Sequence, residues 1–424
     1  MKHTPFWWDD APRETALPDN QPDKTDIAIV GAGFSGLNAA LILARAGRSV
    51  TVFEAEQLGA GASSRNGGML GPSFHKLGII GLTAKYGAET TQGILRESIG
   101  FVDFLVDFLK TEGIDADLQQ TGRFRGILRA SHLQTISRQI DGLNEVCGDI
   151  AKMVPHYELP TETGSTRFVG GAVYRLDAGL NPAKYHNGLI DVARKAGVQI
   201  VPFTPVEKLE KTGTSFMLTT RLGRVKADQV AICTNGYTGK QFQNFRKRVL
   251  PLRSAIIATE PLPADVIDRL MPKSRMYGDS RRMVAYYRRS ADGRRIVFGG
   301  RASGLRDNPA ANARFLHRAM CDIYPELKQT KISHVWSGLV AYTFDHAPHI
   351  GQMEGMDYAM GYCGSGVTRA TYFGQKLAHK MLGDEARGRT SFDTLGFETK
   401  PLYTGNPWFM PMLLNWHRMM DRFT

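Results

Sequence analysis

Cysteine is scarce and scattered in this sequence. The 424 residues include only Cys147, Cys233, Cys321 and Cys363, and no two of them form a C-x-x-C pair. Disulfide-stapled domains and structural zinc sites both need cysteines at close, repeated spacing. The sequence therefore excludes a disulfide framework, predicts no metal site, and is typical of a protein in the reducing cytoplasm.

Long apolar runs are also absent. The first residues, MKHTPFWWDDAPRE, contain neither an apolar core nor a cleavage pattern, and no later run reaches membrane-spanning length. A transmembrane helix needs ~20 consecutive apolar residues. Because the 42% hydrophobic content is ordinary for globular proteins, the sequence predicts a soluble cytoplasmic protein of two or three domains.

The chain is basic but has no long basic run. Its formal net charge is +12, and the clusters are brief, such as RKR at 246–248. Nucleic-acid-binding proteins concentrate basic residues on one face or tail. We therefore expect no nucleic-acid partner, and the dispersed charge favours a basic surface that helps to hold an anionic cofactor.

Residues 25–54 predict one complete βαβ unit. A β-branched apolar run at 27–30 is followed by G-A-G-F-S-G at 31–36, and an Ala/Leu-rich helical pattern then continues to residue 46. A second β-rich segment, 49–53, ends at Glu54. This order indicates strand, tight turn, helix and strand.

The motif residues in this unit suit a dinucleotide. Gly31 allows the tight turn, Gly33 lets a pyrophosphate approach the backbone, and Gly36 lets the helix pack on the strand. The helix N-terminus offers free N–H groups to the phosphates. Glu54, eighteen residues after Gly36 (54 minus 36), can accept hydrogen bonds from ribose hydroxyls and would repel a 2′-phosphate. The unit therefore predicts FAD or NAD, and leaves these two open.

The second half of the chain predicts an antiparallel sheet and another glycine-rich turn. Residues 283–288 pair naturally with 295–300 across the Asp-Gly of 292–293, a strong hairpin signal. We interpret this hairpin as part of a substrate domain. The glycine-rich stretch 361–366 opens a helix, whose N-terminus is a second place where a dipole can meet an anionic atom.

Candidate substrate-binding residues cluster in the hairpin. Tyr286, Tyr287 and Arg288 alternate along a strand, so either Tyr286 and Arg288 or Tyr287 faces the cofactor. Arg288, Arg65 or Arg301 could bind a substrate carboxylate through two parallel hydrogen bonds. A position on the basic surface explains each arginine equally well.

A second group of candidates lies between Trp336 and His349. His346 or His349 could deprotonate a substrate ammonium, although a structural hydrogen-bonding role is the stronger interpretation for both. Tyr342 and Trp336 could wall an amine pocket by cation–π contact, or simply pack in the core. The predicted catalytic residues are Tyr287, Arg288, His349 and Tyr342.

Six motifs in order along the chain resemble the D-amino-acid oxidase type of FAD-dependent oxidoreductase. They are G-A-G-F-S-G with Glu54, A-S-S-R-N-G-G at 62–68, Val206 after a short strand, T-N-G-Y at 234–237, T-x-D-x-x-P-x-I-G at 343–351 and G-S-G-V at 364–367. Together they cover about residues 25–380. The R-N-G-G form, the I-I-A-T-E-P-L strand at 256–262, the Trp-rich arm and the P-W-F tail look like the γ-glutamylputrescine oxidase branch.

The resemblance implies FAD as the cofactor and a set of residues that hold it. The implied contacts are Gly31, Gly33, Phe34, Ser35, Gly36, Glu54, Ala62, Ser63, Ser64, Arg65, Asn66, Gly67, Gly68, Met69, Val206, Thr234, Asn235, Gly236, Gly364, Ser365, Gly366, Val367 and Thr368. The similar monomeric sarcosine oxidases carry their flavin on a cysteine ahead of T-x-D, but residues 336–342 contain none. We therefore expect non-covalent FAD. Those oxidases also use a lysine near the flavin to activate oxygen, and residues 283–288 contain none, so the electron acceptor is oxygen or another molecule.

The predicted fold class is α/β, or mixed α+β. A Rossmann-like FAD-binding domain of the glutathione-reductase type is interleaved with an antiparallel-sheet substrate domain. The predicted boundaries are an N-terminal arm (1–24), the FAD-binding domain (25–110, 170–245 and 331–390), the substrate domain (111–169 and 246–330) and a C-terminal tail with an amphipathic helix (391–424).

The predicted function is oxidation of a C–N bond in a small-molecule amine. The substrate would be a γ-glutamylated polyamine, a secondary amine or an amino-acid-like compound, oxidised by hydride transfer to flavin N5 and then hydrolysis of the imine. One alternative is an amino-acid dehydrogenase that contacts a membrane surface weakly through the C-terminal helix and passes electrons to a quinone. A more distant alternative is an FAD-containing tRNA-modifying module.

Overall fold

The computed structural model describes residues 1–72, 77–281, 283–301, 307–410, 412 and 416. Its strands are β1 (Lys24–Val30), β2 (Val50–Phe53), β3 (Met69–Leu70), β4 (Arg123–Ile127), β5 (Ala151–Val154), β6 (Gly170–Tyr174), β7 (Ala178–Gly179), β8 (Gln199–Val201), β9 (Lys208–Thr212), β10 (Ser215–Thr220), β11 (Gly223–Ile232), β12 (Leu250–Thr259), β13 (Met276–Asp279), β14 (Tyr286–Arg289), β15 (Ile296–Arg301), β16 (Ile332–Tyr342), β17 (His349–Met353) and β18 (Met356–Met360). Its α-helices are α1 (Trp7–Asp10), α2 (Phe34–Arg45), α3 (Ala62–Arg65), α4 (Gly78–Tyr86), α5 (Ala88–Ile99), α6 (Phe101–Thr111), α7 (Ser131–Cys147), α8 (Pro182–Lys195), α9 (Gln243–Arg246), α10 (Ala264–Leu270), α11 (Pro309–Ile323), α12 (Gly366–Met381) and α13 (Glu385–Gly388).

The predicted βαβ unit is confirmed. β1 and β2 are parallel neighbours, with Ile27 beside Val50 and Val30 beside Phe53. Helix α2 begins directly after Gly33, whose backbone is extended. Gly47 has a φ of +83° just beyond the helix, where a glycine ends an α-helix at low conformational cost.

The first sheet carries helices on one face and a hairpin on the other. Its strand order is β17-β18-β11-β1-β2-β8, and the β9–β10 hairpin extends from β11. Side chains alternate along β1, so Ile27 and Ile29 pack with α2, α8 and α12, whereas Ala28 and Val30 pack with residues of the hairpin. Both faces are therefore buried, which explains why the strands are almost continuously apolar.

The second sheet has the order β16-β12-β15-β14-β13-β4-β6-β5. Neighbouring strands in this sheet are antiparallel, except that β13 and β4 run parallel. The predicted hairpin of β14 and β15 is present, and its turn residue Gly293 has a φ of +70°. Strands β6 and β16 belong to this sheet because they pair with β4 and β12, although the predicted boundaries group them with the FAD-binding domain.

The two faces of the second sheet have different environments. On one face the rings of Tyr277, Tyr287 and Phe298 stack at centroid distances of 5.4 and 5.3 Å, and α11 covers them. Tyr286 lies on the opposite face because successive side chains alternate. The prediction that Tyr287 acts at the cofactor is therefore corrected: its ring is fully buried in the core of the second sheet.

The N-terminal arm is tied to the edge of the second sheet. The N–H of Lys2 donates to the carbonyl of Ser333 at 2.7 Å, and the N–H of Val335 donates back to Lys2 at 2.9 Å. Trp7 is 1% exposed and packs in a cluster with Trp336. The arm thus forms part of the packed structure rather than an extended tail.

The predicted amphipathic helix of the C-terminal tail lies mostly outside the described residues, which beyond 410 include only 412 and 416. The weak membrane contact predicted for that helix falls on the same segment. Within the described part of the chain, no helix is long and apolar enough to cross a membrane.

The position of Tyr287 can be tested by two substitutions. Tyr287→Ala removes a fully buried ring and should lower the free energy of unfolding by ~3–5 kcal/mol, as for other large aromatic deletions. Tyr287→Phe keeps the ring and should leave turnover unchanged. Guanidinium unfolding and steady-state rates provide the measurements, and a stable Tyr287→Phe variant without activity would return Tyr287 to the site.

Candidate functional site

A cavity of about 710 Å³ runs from the carboxyl ends of β1 and β2 to the second sheet. Ligands of open parallel sheets bind outside the carboxyl ends of the strands, so its position is the expected one. The first residues of both α2 and α12 contribute to its wall. The cavity thus brings together the two glycine-rich turns identified in the sequence.

Glycine is required at two positions of the first turn. Gly31 has a φ of +106°, and a Cβ atom on it would lie 2.9 Å from the carbonyl oxygen of Cys233. A Cβ atom on Gly36 would lie 2.0 Å from the carbonyl oxygen of Gly31. No side chain fits at either place, so the turn brings the start of α2 against β1 and leaves Gly33 on the cavity wall.

Glu54 is a half-buried carboxylate beside this turn. Its Oε2 accepts the N–H of Ala32 at 2.9 Å and its Oε1 accepts the N–H of Glu56 at 3.2 Å. Burial raises the pKa of Glu54, and these hydrogen bonds only partly oppose that effect. Further donors, such as ribose hydroxyls, would stabilise the ionised form.

The R-N-G-G segment forms a turn that its own hydrogen bonds hold. The side chain of Asn66 donates to the carbonyls of Ala62 and Ser63 at 3.1 and 3.0 Å, and accepts the N–H of Gly68 at 2.8 Å. The hydroxyl of Ser63 accepts the N–H of Phe34 at 3.0 Å, which joins this turn to the start of α2. The turn and the dinucleotide motif therefore have a fixed relative position.

Several predicted cofactor residues lie on the wall and others lie behind it. The cavity-lining ones are Gly31, Gly33, Phe34, Ser35, Glu54, Ala62, Ser63, Arg65, Asn66, Gly67, Met69, Val206, Thr234, Asn235, Gly364, Ser365, Gly366 and Val367. Gly36, Ser64, Gly68, Gly236 and Thr368 support these from behind. Ser64, for example, is fully buried and donates to the carbonyl of Gly59.

The N-terminal arm contributes to the site in a way that no motif revealed. The indole N–H of Trp7 donates to the carbonyl of Asn66 at 2.8 Å, and that of Trp8 donates to the hydroxyl of Ser64 at 2.8 Å. The guanidinium of Arg65 lies 5.4 Å from the ring centroid of Trp8. Both tryptophans therefore clamp the R-N-G-G turn.

Further along the arm, Arg13 reaches the dinucleotide motif through His186. The ring Nε2 of His186 lies 2.8 Å from the carbonyl oxygen of Ala32, which can only accept, so Nε2 donates. Its Nδ1 then accepts from Arg13 at 3.4 Å. Burial lowers the pKa of His186 to about 4, which keeps the ring neutral in this arrangement.

The second glycine-rich turn presents the N-terminus of α12 to the cavity. Gly364 has a φ of +95°, and Ser365 is the N-cap without a side-chain hydrogen bond to the helix. The first N–H groups of a helix have no partner within it. With the dipole of α12, they make this end suitable for negative charge.

One face of the second sheet closes the far end of the cavity. Tyr286, Arg301, Trp336 and Tyr342 occupy alternate positions on that face and line the cavity. The hydroxyl of Tyr286 is 2.9 Å from that of Ser254, and the guanidinium of Arg301 lies 5.0 Å from the ring centroid of Tyr342. This wall combines aromatic surface with a guanidinium group.

Arg288 shares the face of Tyr286 but has a different task from the predicted one. Its Nη1 donates to the carbonyls of Gly68 and Leu180, both at 2.8 Å, and its Nη2 donates to the side chain of Gln119 at 3.1 Å. These three acceptors occupy the guanidinium N–H groups that a substrate carboxylate would need. Arg288 therefore holds the R-N-G-G turn, and its prediction as a substrate ligand is corrected.

His349 also lies away from the cavity. Its Nε2 is 3.0 Å from Oδ1 of Asp345, and its ring stacks on Phe397 at 4.4 Å. Burial raises the pKa of Asp345, but hydrogen bonds from His349 and Tyr86 outweigh burial and keep the pKa below its ordinary value. The pair stabilises the segment after β16. His349 therefore lies outside the cavity in which it was predicted to accept a proton.

The residues of the cavity fit a flavin dinucleotide. The first turn accepts only glycine at Gly31 and Gly36 and leaves Gly33 on the cavity wall, where a pyrophosphate would approach, and Glu54 offers a half-buried carboxylate that can accept further hydrogen bonds. The N-terminus of α12 lies beside the segment that follows the R-N-G-G turn and β3, since the hydroxyl of Thr368 is 3.4 Å from the carbonyl oxygen of Gly71. An anionic ring edge would be stabilised there.

Comparison with known proteins gives consistent results. The family described as FAD dependent oxidoreductase matches residues 26–380. The chain is 32% identical to the probable oxidoreductase OrdL of Rhizobium meliloti, over 94% of this chain and 93% of that protein. It is 29% identical to the gamma-glutamylputrescine oxidoreductase of Escherichia coli, over 87% of this chain and 86% of that protein. The crystal structure of glycine oxidase from Geobacillus kaustophilus has the same fold, with a TM-score of 0.72 at 19% identity over 90% of this chain and 99% of that chain.

The clamp formed by the arm predicts an effect on cofactor retention. Trp7→Phe keeps an aromatic ring but removes the hydrogen bond to Asn66, so the dissociation constant of FAD should rise roughly 3–10-fold. Titration of the apoprotein with FAD, followed by flavin fluorescence, measures it. Trp408→Phe is the matched control because Trp408 is 61% exposed, and equal affinities for both variants would contradict the clamp.

Proposed function

The chain belongs to the family of FAD-dependent oxidoreductases, and from this premise we propose that it oxidises a C–N bond in a small-molecule amine, with γ-glutamylated amines as the substrate class. The match over residues 26–380 confirms the resemblance identified from the motifs. FAD as the cofactor and the mixed α/β fold are confirmed with it. The substrate and the reaction at the nitrogen are the proposal.

The wall formed by the second sheet is the observation that supports an amine substrate. Tyr286 and Tyr342 offer aromatic faces to an alkylamine, because a cation is attracted to the face of an aromatic ring. Arg301 adds a guanidinium, which favours a substrate that also carries an anionic group. A substrate with both charges and an aliphatic chain suits this wall.

FAD, when bound, supplies the acceptor for the electron pair of the C–H bond beside the nitrogen. The chain's contribution is to place that bond and to keep water away from it. Tyr286 is hydrogen-bonded to Ser254, and Trp336 donates to the carbonyl of Arg65 at 2.7 Å, so both rings are held in position. The imine product hydrolyses in water, and the chemistry requires no protein nucleophile.

The relatives support γ-glutamylated amines as the first compounds to test. The Escherichia coli relative acts, by its name, on gamma-glutamylputrescine, and its similarity extends over 87% of this chain. Glycine oxidase shares the fold at 19% identity, which supports the architecture alone.

Non-covalent attachment of the flavin is testable by denaturation. Residues 336–342 contain no cysteine, and the thiol of Cys363 donates to the carbonyl of Gly361 at 3.1 Å. Acid denaturation should therefore release all the FAD into the supernatant, measured by its absorbance. Cys363→Ser should bind the same amount, and a yellow pellet from the wild type alone would show a covalent bond to Cys363.

Anaerobic reduction of the flavin tests the proposed reaction without assuming an electron acceptor. Mixing the holoenzyme with γ-glutamylputrescine should bleach the flavin absorbance, and putrescine or N-methyl amino acids should do so more slowly. Failure of every amine to bleach the flavin would reject the proposal. For an amine that does bleach the flavin, release of peroxide in air would identify oxygen as an electron acceptor.

A further inference from the structure

An ion pair at the cavity wall has no role in the function described so far. Arg123 of β4 and Asp177, in the turn between β6 and β7, both line the cavity, with Nε of Arg123 3.2 Å from Oδ1 of Asp177. The carboxylate is nearly enclosed, since its side chain is 5% exposed, whereas that of Arg123 is 35% exposed. The pair therefore offers a half-buried guanidinium, which also lies 4.5 Å from the ring centroid of Tyr174, and a carboxylate behind it.

The hydrogen bonding of this pair is incomplete. Within the described part of the chain, Nε of Arg123 makes no hydrogen bond despite its short distance to Asp177. Burial raises the pKa of Asp177 to about 6, and Arg123 opposes that shift without cancelling it. The backbone of Gly71 lies against the carboxylate, because a Cβ atom there would be 2.5 Å from Oδ1. Asp177 thus has capacity for a second cationic partner.

A nearby carboxylate shows what a purely structural pair looks like here. Glu162 is 4% exposed and accepts from Lys273 at 2.7 Å and from Arg275 at 2.6 Å. Burial raises its pKa, but these two partners outweigh burial and bring the pKa below its ordinary value. Glu162 has its charge fully matched away from the cavity, whereas Asp177 faces the cavity with its charge partly matched.

The register of the second sheet places the pair at a useful distance from Tyr286. Tyr286 lies beside Gly278 of β13, which lies beside Arg125 of β4, so these positions and Arg123 share one face. Two strand spacings and two residues separate Arg123 from Tyr286, which puts their Cα atoms about 12 Å apart. Tyr286 in turn lies against Gly67, since a Cβ atom there would be 3.0 Å from its ring. An extended substrate can span from the R-N-G-G turn to the ion pair.

We propose that Arg123 and Asp177 bind a zwitterionic α-amino-acid head group, with the substrate carboxylate on Arg123 and its ammonium on Asp177. The oxidised C–N bond then lies at the opposite end of the substrate, near Tyr286. This assignment rests on the proposed amine oxidation. Adjacent charges of opposite sign complement an α-amino acid, whose ammonium and carboxylate groups are bonded to the same carbon atom.

Probes with masked charges test the assignment. γ-Glutamylputrescine, its α-N-acetyl derivative and its α-carboxamide are each mixed anaerobically with the holoenzyme, and the rate of flavin bleaching against concentration gives a Kd and a limiting rate. Masking either group should raise Kd about tenfold or more, as expected for a lost charged hydrogen bond. The limiting rate should change little because the oxidised bond is remote from the head group.

Variants identify which residue binds which charged group of the substrate. Asp177→Asn should raise Kd for γ-glutamylputrescine about tenfold and leave Kd for the N-acetyl derivative unchanged. Arg123→Gln should raise Kd for γ-glutamylputrescine by a similar factor and leave Kd for the carboxamide unchanged. Arg123→Lys should restore part of the affinity for γ-glutamylputrescine. Glu162→Gln is the matched carboxylate control and should leave the ratios of the three Kd values unchanged.

A binding measurement separates this proposal from the proposed reaction. L-Glutamine carries the head group without the distal amine, so calorimetric titration of the holoenzyme should detect its binding, and Asp177→Asn should weaken it about tenfold. Equal Kd values for all three amine probes, or equal losses in Asp177→Asn for all of them, would overturn the head-group assignment while amine oxidation stands. Glutamine binding that depends on Asp177, without bleaching by any amine, would instead reject the reaction and keep the head-group site.

Discussion

The buried guanidinium of Arg288 joins the parts of this molecule that form the cavity. Isolated charges are costly to bury, and the cost is offset only when polar partners surround them. Arg288 has such partners in Gly68 of the R-N-G-G turn, Leu180 before α8 and Gln119 before β4, and Trp7 of the arm lies 5.8 Å from the guanidinium. Burial lowers its pKa to about 10, so it stays charged at neutral pH. The second sheet, the turn and the arm are therefore held together by one cation.

Short-range rules predicted the dinucleotide end of the cavity well. The period of the apolar residues gave β1, α2 and β2, and the φ of +106° at Gly31 fits the turn that the glycine spacing indicated. Alternation also predicted that Tyr286 and Arg288 share a face. It did not say which face meets the cavity, because both faces of that strand are buried and apolar patterning cannot separate them. Tyr287 was assigned to the site for that reason.

The rest of the site depends on contacts between distant parts of the chain. Trp7 meets Asn66 and Arg13 meets His186, and no local pattern marks either pair. Asp177 stands in a short turn between two strands, and the pairing of β4 with β6 brings Arg123 close to it. His349 was predicted as a proton acceptor from its motif, but its ring pairs with Asp345 and stacks on Phe397. Local sequence patterns therefore predict the turns of this cavity better than its contacts between distant residues.

The two sheets contribute to the cavity in different ways, which explains that difference. The first sheet carries the dinucleotide motif, and its constraints are backbone constraints, which leave clear signals such as the obligatory Gly31 and Gly36. The second sheet closes the cavity with side chains on alternate positions of one face, where many residues satisfy the fold equally well. Glycine oxidase keeps the architecture at 19% identity, so the fold tolerates extensive sequence change. In the proposed function, selectivity among amines comes from charged and aromatic groups that line the cavity, among which Arg123 and Arg301 are positive and Asp177, in the turn after β6, is negative.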